Sequence, residues 1–433
     1  MDDLALRPGA LTRRGLLASG VAAAVMPPAS RVLGGPMNPR LSIADPENFV
    51  LQPIDMIQRR FNLYKQIGIG TLRVGVGWWD QEFGDGVWQG SNRLPYFKLA
   101  VQNGFRLKMQ IGTIGAPAQW YMARHPDARM LNHDRTASVA DISFWYPDLY
   151  AVVAAKAEHL FAYLAEQKLF GAIDYVFVDC GPGGEPIYPT AWTMAPGATV
   201  AKASFWFYDA DAQANFAPAM STMYGGALDA ANRAWGTSFK AWGDVKIPEP
   251  GTRPGQMWND VLTWYRDAKR RFVAWQVGNY QTLLRRYAGT ATPKLVLMVP
   301  GSHIRPAEWL DAVRSGDGDY GVKIMSESEY LIDLAAQTGC WLQYTGVENG
   351  PEVAYLQSYM RSNGRQIPMW GENAGTPDVG HDPQRVADVI NQNQLYGFEF
   401  INSSFVFDGA GAIQNSVFNK LVRAYSTFSQ LAK

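Results

Sequence analysis

Short apolar runs alternate with amphipathic stretches along most of this chain. Residues 40–43, 71–76, 106–111, 175–178, 294–299, 341–344, 367–370 and 398–401 are brief and rich in β-branched or aromatic side chains, and they read as strands. Between them the spacing of apolar positions predicts helices over 54–66, 94–102, 149–167 and 260–287, with 416–431 as a closing helix. Strands that alternate with helices argue for βα units and a parallel sheet. Eight strand-like runs are the number a (β/α)8 TIM barrel requires, so an α/β barrel is the expected fold.

One connection is far longer than the rest. Residues 186–259 follow the fourth strand and carry Trp192, Phe205, Trp206, Phe207, Tyr208, Trp235 and Trp242, which predicts an aromatic-rich insertion walling a pocket. No Ser/Gly linker, charge block or repeat divides the chain after Pro36, so 36–433 reads as a single domain.

In such a barrel the chemistry sits where strands end. The run 175–178 ends in the turn GPGGEPIYP, which presents Glu185, and the run 367–370 leads into Glu372 and Asn373. A pair of carboxyls at one mouth is what glycosidic cleavage needs: one protonates the leaving oxygen, the other activates water or attacks the anomeric carbon. Taken singly, each Glu also reads as an ordinary loop carboxylate.

Around that pair, the same logic places candidate substrate-binding residues on the other loops. These are Trp78, Trp79 and Asp80 after the second strand, Trp120 after the third, Tyr188 beside Glu185, and Trp206 in the insertion. Further round stand His303 after the fifth strand, Thr345 and Glu348 after the sixth, and Trp370 and Asn373 at the seventh. Trp120, Trp206 and Trp370 are candidates for stacking on sugar rings, with core packing as the competing reading. Asp80 and Glu82 read either as ligands of sugar hydroxyls or as a solvated loop. Asp179 reads as a buried structural acid, His303 as a ligand or a packed histidine, and Glu348 as a group that tunes Glu372 or holds a hydroxyl.

Composition narrows the partners. The chain has 433 residues, with 39 basic and 39 acidic side chains and a formal net charge of +0, which gives no electrostatic case for nucleic acid or an anionic membrane. Aromatics make up 13% of it, which suits an oligo- or polysaccharide partner. The 5 histidines show no HExxH spacing and the 2 cysteines, Cys180 and Cys340, form no CxxC, so neither a catalytic metal nor a cofactor is expected. At the N-terminus, Arg13-Arg14 precede a short apolar stretch, Ala18 to Val25, and then Pro27-Pro28-Ala29-Ser30. Residues 1–35 therefore read as a twin-arginine-type signal for export to the periplasm or beyond, too short for a stable membrane anchor.

Several of these blocks resemble a known family. GPGGEPIYP is similar to the GPAGELRYPSYP signature of the β-amylases, the family 14 glycoside hydrolases, and WGENAG to their AGENAL. Met298-Val-Pro-Gly-Ser-His303 resembles their KVSGIH, Leu342-Gln-Tyr-Thr-Gly-Val-Glu348 their LNFTCLEM, residues 395–400 their last strand, and Trp78-Trp79 their paired tryptophans. The resemblance implies that Glu185 is the general acid and Glu372 the general base of an inverting, exo-acting α-glucan hydrolase, with Thr345 positioning the attacking water or Glu372. Other positions depart from it. The family's DVWWG aspartate falls at Val76, its KVSGIH lysine at Met298, and its glycine-rich lid is replaced by residues 112–120. Two stretches look instead like family 42 β-galactosidases: Ala116-Pro-Ala-Gln-Trp-Tyr with His125-Pro126, and residues 228–239. That likeness implies a retaining β-glycosidase with Glu372 as nucleophile. A third reading, of another class, is a glycan-binding protein without turnover.

Overall fold

The computed structural model describes residues 40–45, 47–114, 117–132, 135, 137–189, 205–249, 252, 255–301, 327–373, 383–401 and 403. The proposed signal (1–35), His303 and the closing helix at 416–431 lie outside the described residues.

Eight parallel strands close into one barrel: β1 (Arg40–Ala44), β2 (Ile69–Gly77), β3 (Arg106–Gly112), β4 (Ile173–Phe177), β5 (Lys294–Val299), β6 (Trp341–Tyr344), β7 (Met369–Glu372) and β8 (Gly397–Ile401). Each strand pairs with its neighbour in the chain, and β8 closes on β1. All eight runs read from the sequence are therefore barrel strands. One boundary moves with consequence: the seventh strand was expected at 367–370 and spans Met369–Glu372. Pro368 has no N–H to give to the ladder, so pairing starts after it and carries Glu372 into the last strand position.

The helices Ile54–Gln66 and Leu94–Gln102 fall where periodicity places them, and Leu149–Glu166 stops one residue short. The long helix begins four residues earlier than its expected start at 260 and runs Gln256–Tyr287. It joins two cores. Val273, Val277, Tyr280 and Leu283 pack with the apolar shell between barrel and helices. Trp258, Val261, Leu262 and Tyr265 pack instead under the insertion, with Phe205, Trp206, Phe207, Tyr208 and Phe216. The described insertion aromatics thus build a core of their own, and the expectation that Phe205 to Tyr208 wall an open pocket is corrected: all four are at most 2% exposed.

Candidate active site

In an all-parallel barrel both faces of each strand are covered, so a polar side chain within a strand has to find its partners inside the barrel. Six strands place polar groups there. Register aligns Ser42 of β1 with Glu399 of β8, and Glu399 with Glu372 of β7. It also aligns Arg73 of β2 with Lys108 of β3. Gln343 of β6 and Gln110 of β3 complete the tier, above an apolar floor of Tyr175, Val296 and Trp370.

The bonds of this tier are specific. The Arg73 guanidinium lies 3.2 Å from Glu372 and 3.1 Å from Glu399 through the same Nη1. Its other nitrogen, Nη2, donates to Gln110 at 3.0 Å and to the carbonyl of Gly183 at 3.2 Å. The Nε2 of Gln343 donates to Oε2 of Glu372 and, at 2.9 Å, to Oε1 of Glu399. Lys108 is fully enclosed, 2.8 Å from Glu399 and 2.6 Å from the Gln343 carbonyl, with its ammonium 3.8 Å from the centre of the Trp370 ring. Ser42 donates to Glu399 at 3.0 Å.

Glu185 arrives from the other side. After β4 the chain makes a 3-10 turn at Pro182–Gly184, closed by Gly184 N to Gly181 O at 2.8 Å and Glu185 N to Pro182 O at 3.1 Å. The turn has no room for a side chain at Gly181. A Cβ there would lie 2.7 Å from the Lys269 ammonium and 2.8 Å from the carbonyls of Glu185 and Ile187. Lys269, from the long helix, donates to Ile187 O at 2.7 Å and so fixes the far end of the same loop. Half-buried at the mouth, the Glu185 carboxyl accepts a hydrogen bond from Thr345, whose oxygen in turn accepts from the Gly301 N–H at 2.9 Å. Because Arg73 holds the Gly183 carbonyl as well as Glu372, one guanidinium ties the Glu185 turn to the end of β7.

Charge and burial then set the protons. Burial pushes the Glu372 carboxyl, only 5% exposed, up to about 8, against the pull of Arg73. Burial opposes charge on Glu399 as well, but Lys108 and Arg73 outweigh it and hold that carboxyl down at about 2. Burial also raises Glu185, against the opposing hydrogen bond from Thr345 and the charge of Arg73. Among the described residues, the carboxyls of Glu185, Glu372 and Glu399 face the cations Arg73 and Lys108. Burial thus favours the protonated forms of Glu185 and Glu372, while Glu399 keeps its charge.

The remaining residues singled out from sequence divide sharply. Trp79 is half-buried at the mouth: its ring lies over the paired strand ends Gly77 and Gly112, where an added Cβ would stand 1.7 and 2.3 Å from it. Trp120 is also half-buried and donates from its indole to Glu82 O at 3.0 Å. Glu348 lies half-buried in the turn after β6.

Four expected ligands are closed off. Trp78, Tyr188, Trp206 and Trp370 are each 0% exposed. The Trp78 indole donates to Glu82, and Tyr188 stacks on Tyr265 with ring centres 3.8 Å apart. Trp206 donates to Pro189 O at 3.0 Å, and Trp370 fills the barrel floor against Tyr175. Trp370 was expected at the mouth because the strand was read two residues early; in the true register it sits two residues below Glu372.

Asp80 caps its turn by accepting from Gly77 N at 2.8 Å and Ser91 at 2.9 Å. Asn373 turns away from Glu372 and clamps Ile401, donating to its carbonyl and accepting from its N–H at 2.8 Å. Asp179 is the structural acid it reads as, accepting from the N–H of Ile114 at 2.8 Å and from the Thr113 hydroxyl at 3.2 Å. The Thr345 hydroxyl, expected to position the attacking water or Glu372, is bonded here to Glu185.

Sequence reading missed Arg73, Lys108, Gln343 and Glu399. The signal was present: each is a polar residue within a short, largely apolar strand, as in TLRVG, WLQY and GFEFI, and in RLKMQIG Lys108 alternates with Arg106 and Gln110.

With the site built, its relatives bear on it. A β-amylase of Niallia circulans is 31% identical over 119 residues, 27% of this chain and 19% of that protein. A thermophilic β-amylase of Thermoanaerobacterium thermosulfurigenes is 23% identical over 237 residues, 52% of this chain and 40% of that protein. The chain thus spans less than half the length of either. No family model matches it. Among solved structures, the catalytic domain of β-amylase from Paenibacillus polymyxa superposes with a TM-score of 0.73 at 19% identity, covering 91% of this chain and 98% of that one. A β-galactosidase from the psychrophilic Marinomonas ef1 gives 0.61 at 13% identity, covering 91% and 60%. The chain is a divergent, β-amylase-like barrel that also shares its fold with family 42 β-galactosidases.

Proposed function

We propose that this protein is a glycoside hydrolase that cleaves an oligo- or polysaccharide with Glu185 and Glu372. The observation that carries the reading is the single guanidinium of Arg73, which joins the turn bearing Glu185 to the strand end bearing Glu372. Burial raises the proton affinity of both carboxyls, which suits Glu185 to the acid role, and Arg73 opposes that rise at Glu372. Arg73 and Gln343 both hold Glu372 by its Oε2. Glu185, half-exposed and held by a hydroxyl, delivers the proton to the leaving oxygen. Similarity to β-amylases favours inversion, with Glu372 as general base, and exo action on a glucan.

A retaining route is the second reading. Arg73 and Gln343 fix the Glu372 carboxylate as they would fix a nucleophile, and family 42 β-galactosidases share the fold.

Proton NMR of the first product, on panels of α-glucans, β-glucans and galactosides, separates the two. An inverted anomer supports the general-base role, a retained one makes Glu372 the nucleophile, and in either case Glu185→Gln abolishes turnover. Glycan affinity with no turnover on any sugar assigns the protein to the glycan-binding class. The reading includes export through the twin-arginine-type segment at 1–35 and a single domain over 36–433. Replacing Arg13 and Arg14 with lysine is expected to leave the protein in the cytoplasm.

A further inference from the structure

The second carboxylate of the barrel is sealed from solvent. Glu399 is 0% exposed and lies below the mouth, on the same register line as Glu372. Yet it shares every described partner of Glu372. Arg73 Nη1 stands between the two carboxyls at 3.2 and 3.1 Å, and Gln343 Nε2 donates to both. Glu399 alone also has the Lys108 ammonium at 2.8 Å and the Ser42 hydroxyl at 3.0 Å. Burying a carboxylate costs several kcal/mol unless it is paired, so the better-served of two neighbours keeps its charge and the other takes the proton.

We propose that Glu399 is a positioning residue of the site: by taking Lys108 outright and half of Arg73 and Gln343, it denies Glu372 a full counter-charge and so strengthens the hold of Glu372 on its proton.

The groups facing Glu372 can be taken strand by strand. β1 contributes Ser42, β2 Arg73, β3 Lys108 and Gln110, β5 Met298, β6 Gln343 and β8 Glu399, and the turn after β4 adds Glu185. Tyr175 of β4, beneath Lys108, is held protonated by burial. Among the described residues only Arg73 and Lys108 are cations here, and Lys108 contacts Glu399 and Gln343. Removing the charge of Glu399 therefore removes a repulsion and releases Arg73 to Glu372 at the same time. Both effects lower the proton affinity of Glu372.

That Glu372 is a working carboxyl rests on the function proposed above, but its proton does not, so the test needs no substrate. Carboxyl 13C NMR of the full chain, labelled at the glutamate side chain and assigned with Glu185→Gln and Glu372→Gln, follows each titration directly. In Glu399→Gln the Glu372 midpoint is expected to fall by at least one pH unit, about tenfold in proton affinity. Because Lys108 would then be buried with less to balance it, the double variant Glu399→Gln/Lys108→Met gives the same comparison in an uncharged floor, and the same fall is expected there. A Glu372 midpoint unmoved in the folded variants overturns the proposal, whatever the protein hydrolyses. Where a substrate is in hand, the limb of the kcat/KM profile that reports Glu372 moves by the same amount, which a merely structural role for Glu399 would not produce.

Discussion

Arg73 meets Glu372 at 3.2 Å from inside the barrel, and the same guanidinium reaches the Gly183 carbonyl, two residues before Glu185. The two candidate catalytic groups are thus held by one side chain that belongs to neither loop. Arg73→Met is expected to cost activity about a hundredfold or more, within the range seen when a preorganised charge is removed from a site. It should also lower stability by about 3–5 kcal/mol, because it strands buried carboxylates. Arg73→Lys keeps the charge but cannot span Glu372, Glu399, Gln110 and Gly183 together, so it should recover stability better than turnover. Steady-state kinetics and urea melts on both variants check this, and equal recovery of the two would contradict it.

The hydroxyl of Thr345 donates to Glu185 and thereby favours its charged form, opposing the larger effect of burial. Thr345→Val removes that bond, so the Glu185 carboxyl should bind its proton more tightly and give it up less readily. Turnover is expected to fall about tenfold, the cost of one hydrogen bond to a charged group. Thr345→Ser, which keeps the hydroxyl, should restore it. A pH–rate profile of the three proteins is the check: the Glu185 limb should move to higher pH only in the valine variant.

Much of this was legible in the sequence, for a physical reason. Strand and helix periods differ, so the eight βα units stand out, and Glu185 and Glu372 stand where such units end. What failed was finer than the period. A two-residue error at β7, caused by overlooking what Pro368 does to a ladder, moved Trp370 from the barrel floor to the mouth. The polar positions Arg73, Lys108, Gln343 and Glu399 are visible within their strands, but their partnership is not: it arises only when closure of the barrel brings four strands to one tier. Burial of Trp78, Tyr188 and Trp206 follows from a second core that no local pattern announces.

Stability should carry the signature of the Glu372 proton. In the folded protein Glu372 holds its proton up to about 8, against an ordinary value of 4.5. Between those values the native state binds more protons than the unfolded state, so this group lowers stability as pH rises. Glu372→Gln removes the effect. Its stability relative to the parent is expected to improve progressively from about pH 4.5 to 8 and then level off, with a slope of at most about 1.4 kcal/mol per pH unit. Glu399 has the opposite sign, since its depressed value gives stability above about pH 4.5 that is lost as pH falls toward about 2. Denaturant titrations at several pH values test both, and a Glu372→Gln difference that stays constant with pH would refute the account.

The tryptophans at the two ends of the barrel should separate binding from folding. Trp79 rests half-buried on Gly77 and Gly112 with the Arg93 guanidinium 5.6 Å from its ring, whereas Trp370 is sealed against Tyr175 and Lys108. Trp79→Ala removes a platform at the mouth, so it should weaken glycan affinity about tenfold with little change in melting temperature. Trp370→Ala opens a cavity in the barrel floor and should cost about 3–5 kcal/mol of stability, while the folded fraction binds glycan normally. Gly112→Ala offers a control that leaves the indole in the sequence: its new Cβ would stand 2.3 Å from the Trp79 ring, so the ring must move. It should therefore reproduce the binding loss of Trp79→Ala. Calorimetric titration with the best-binding glycan checks the set; unchanged affinity in both the Trp79 and Gly112 variants would remove Trp79 from the binding surface.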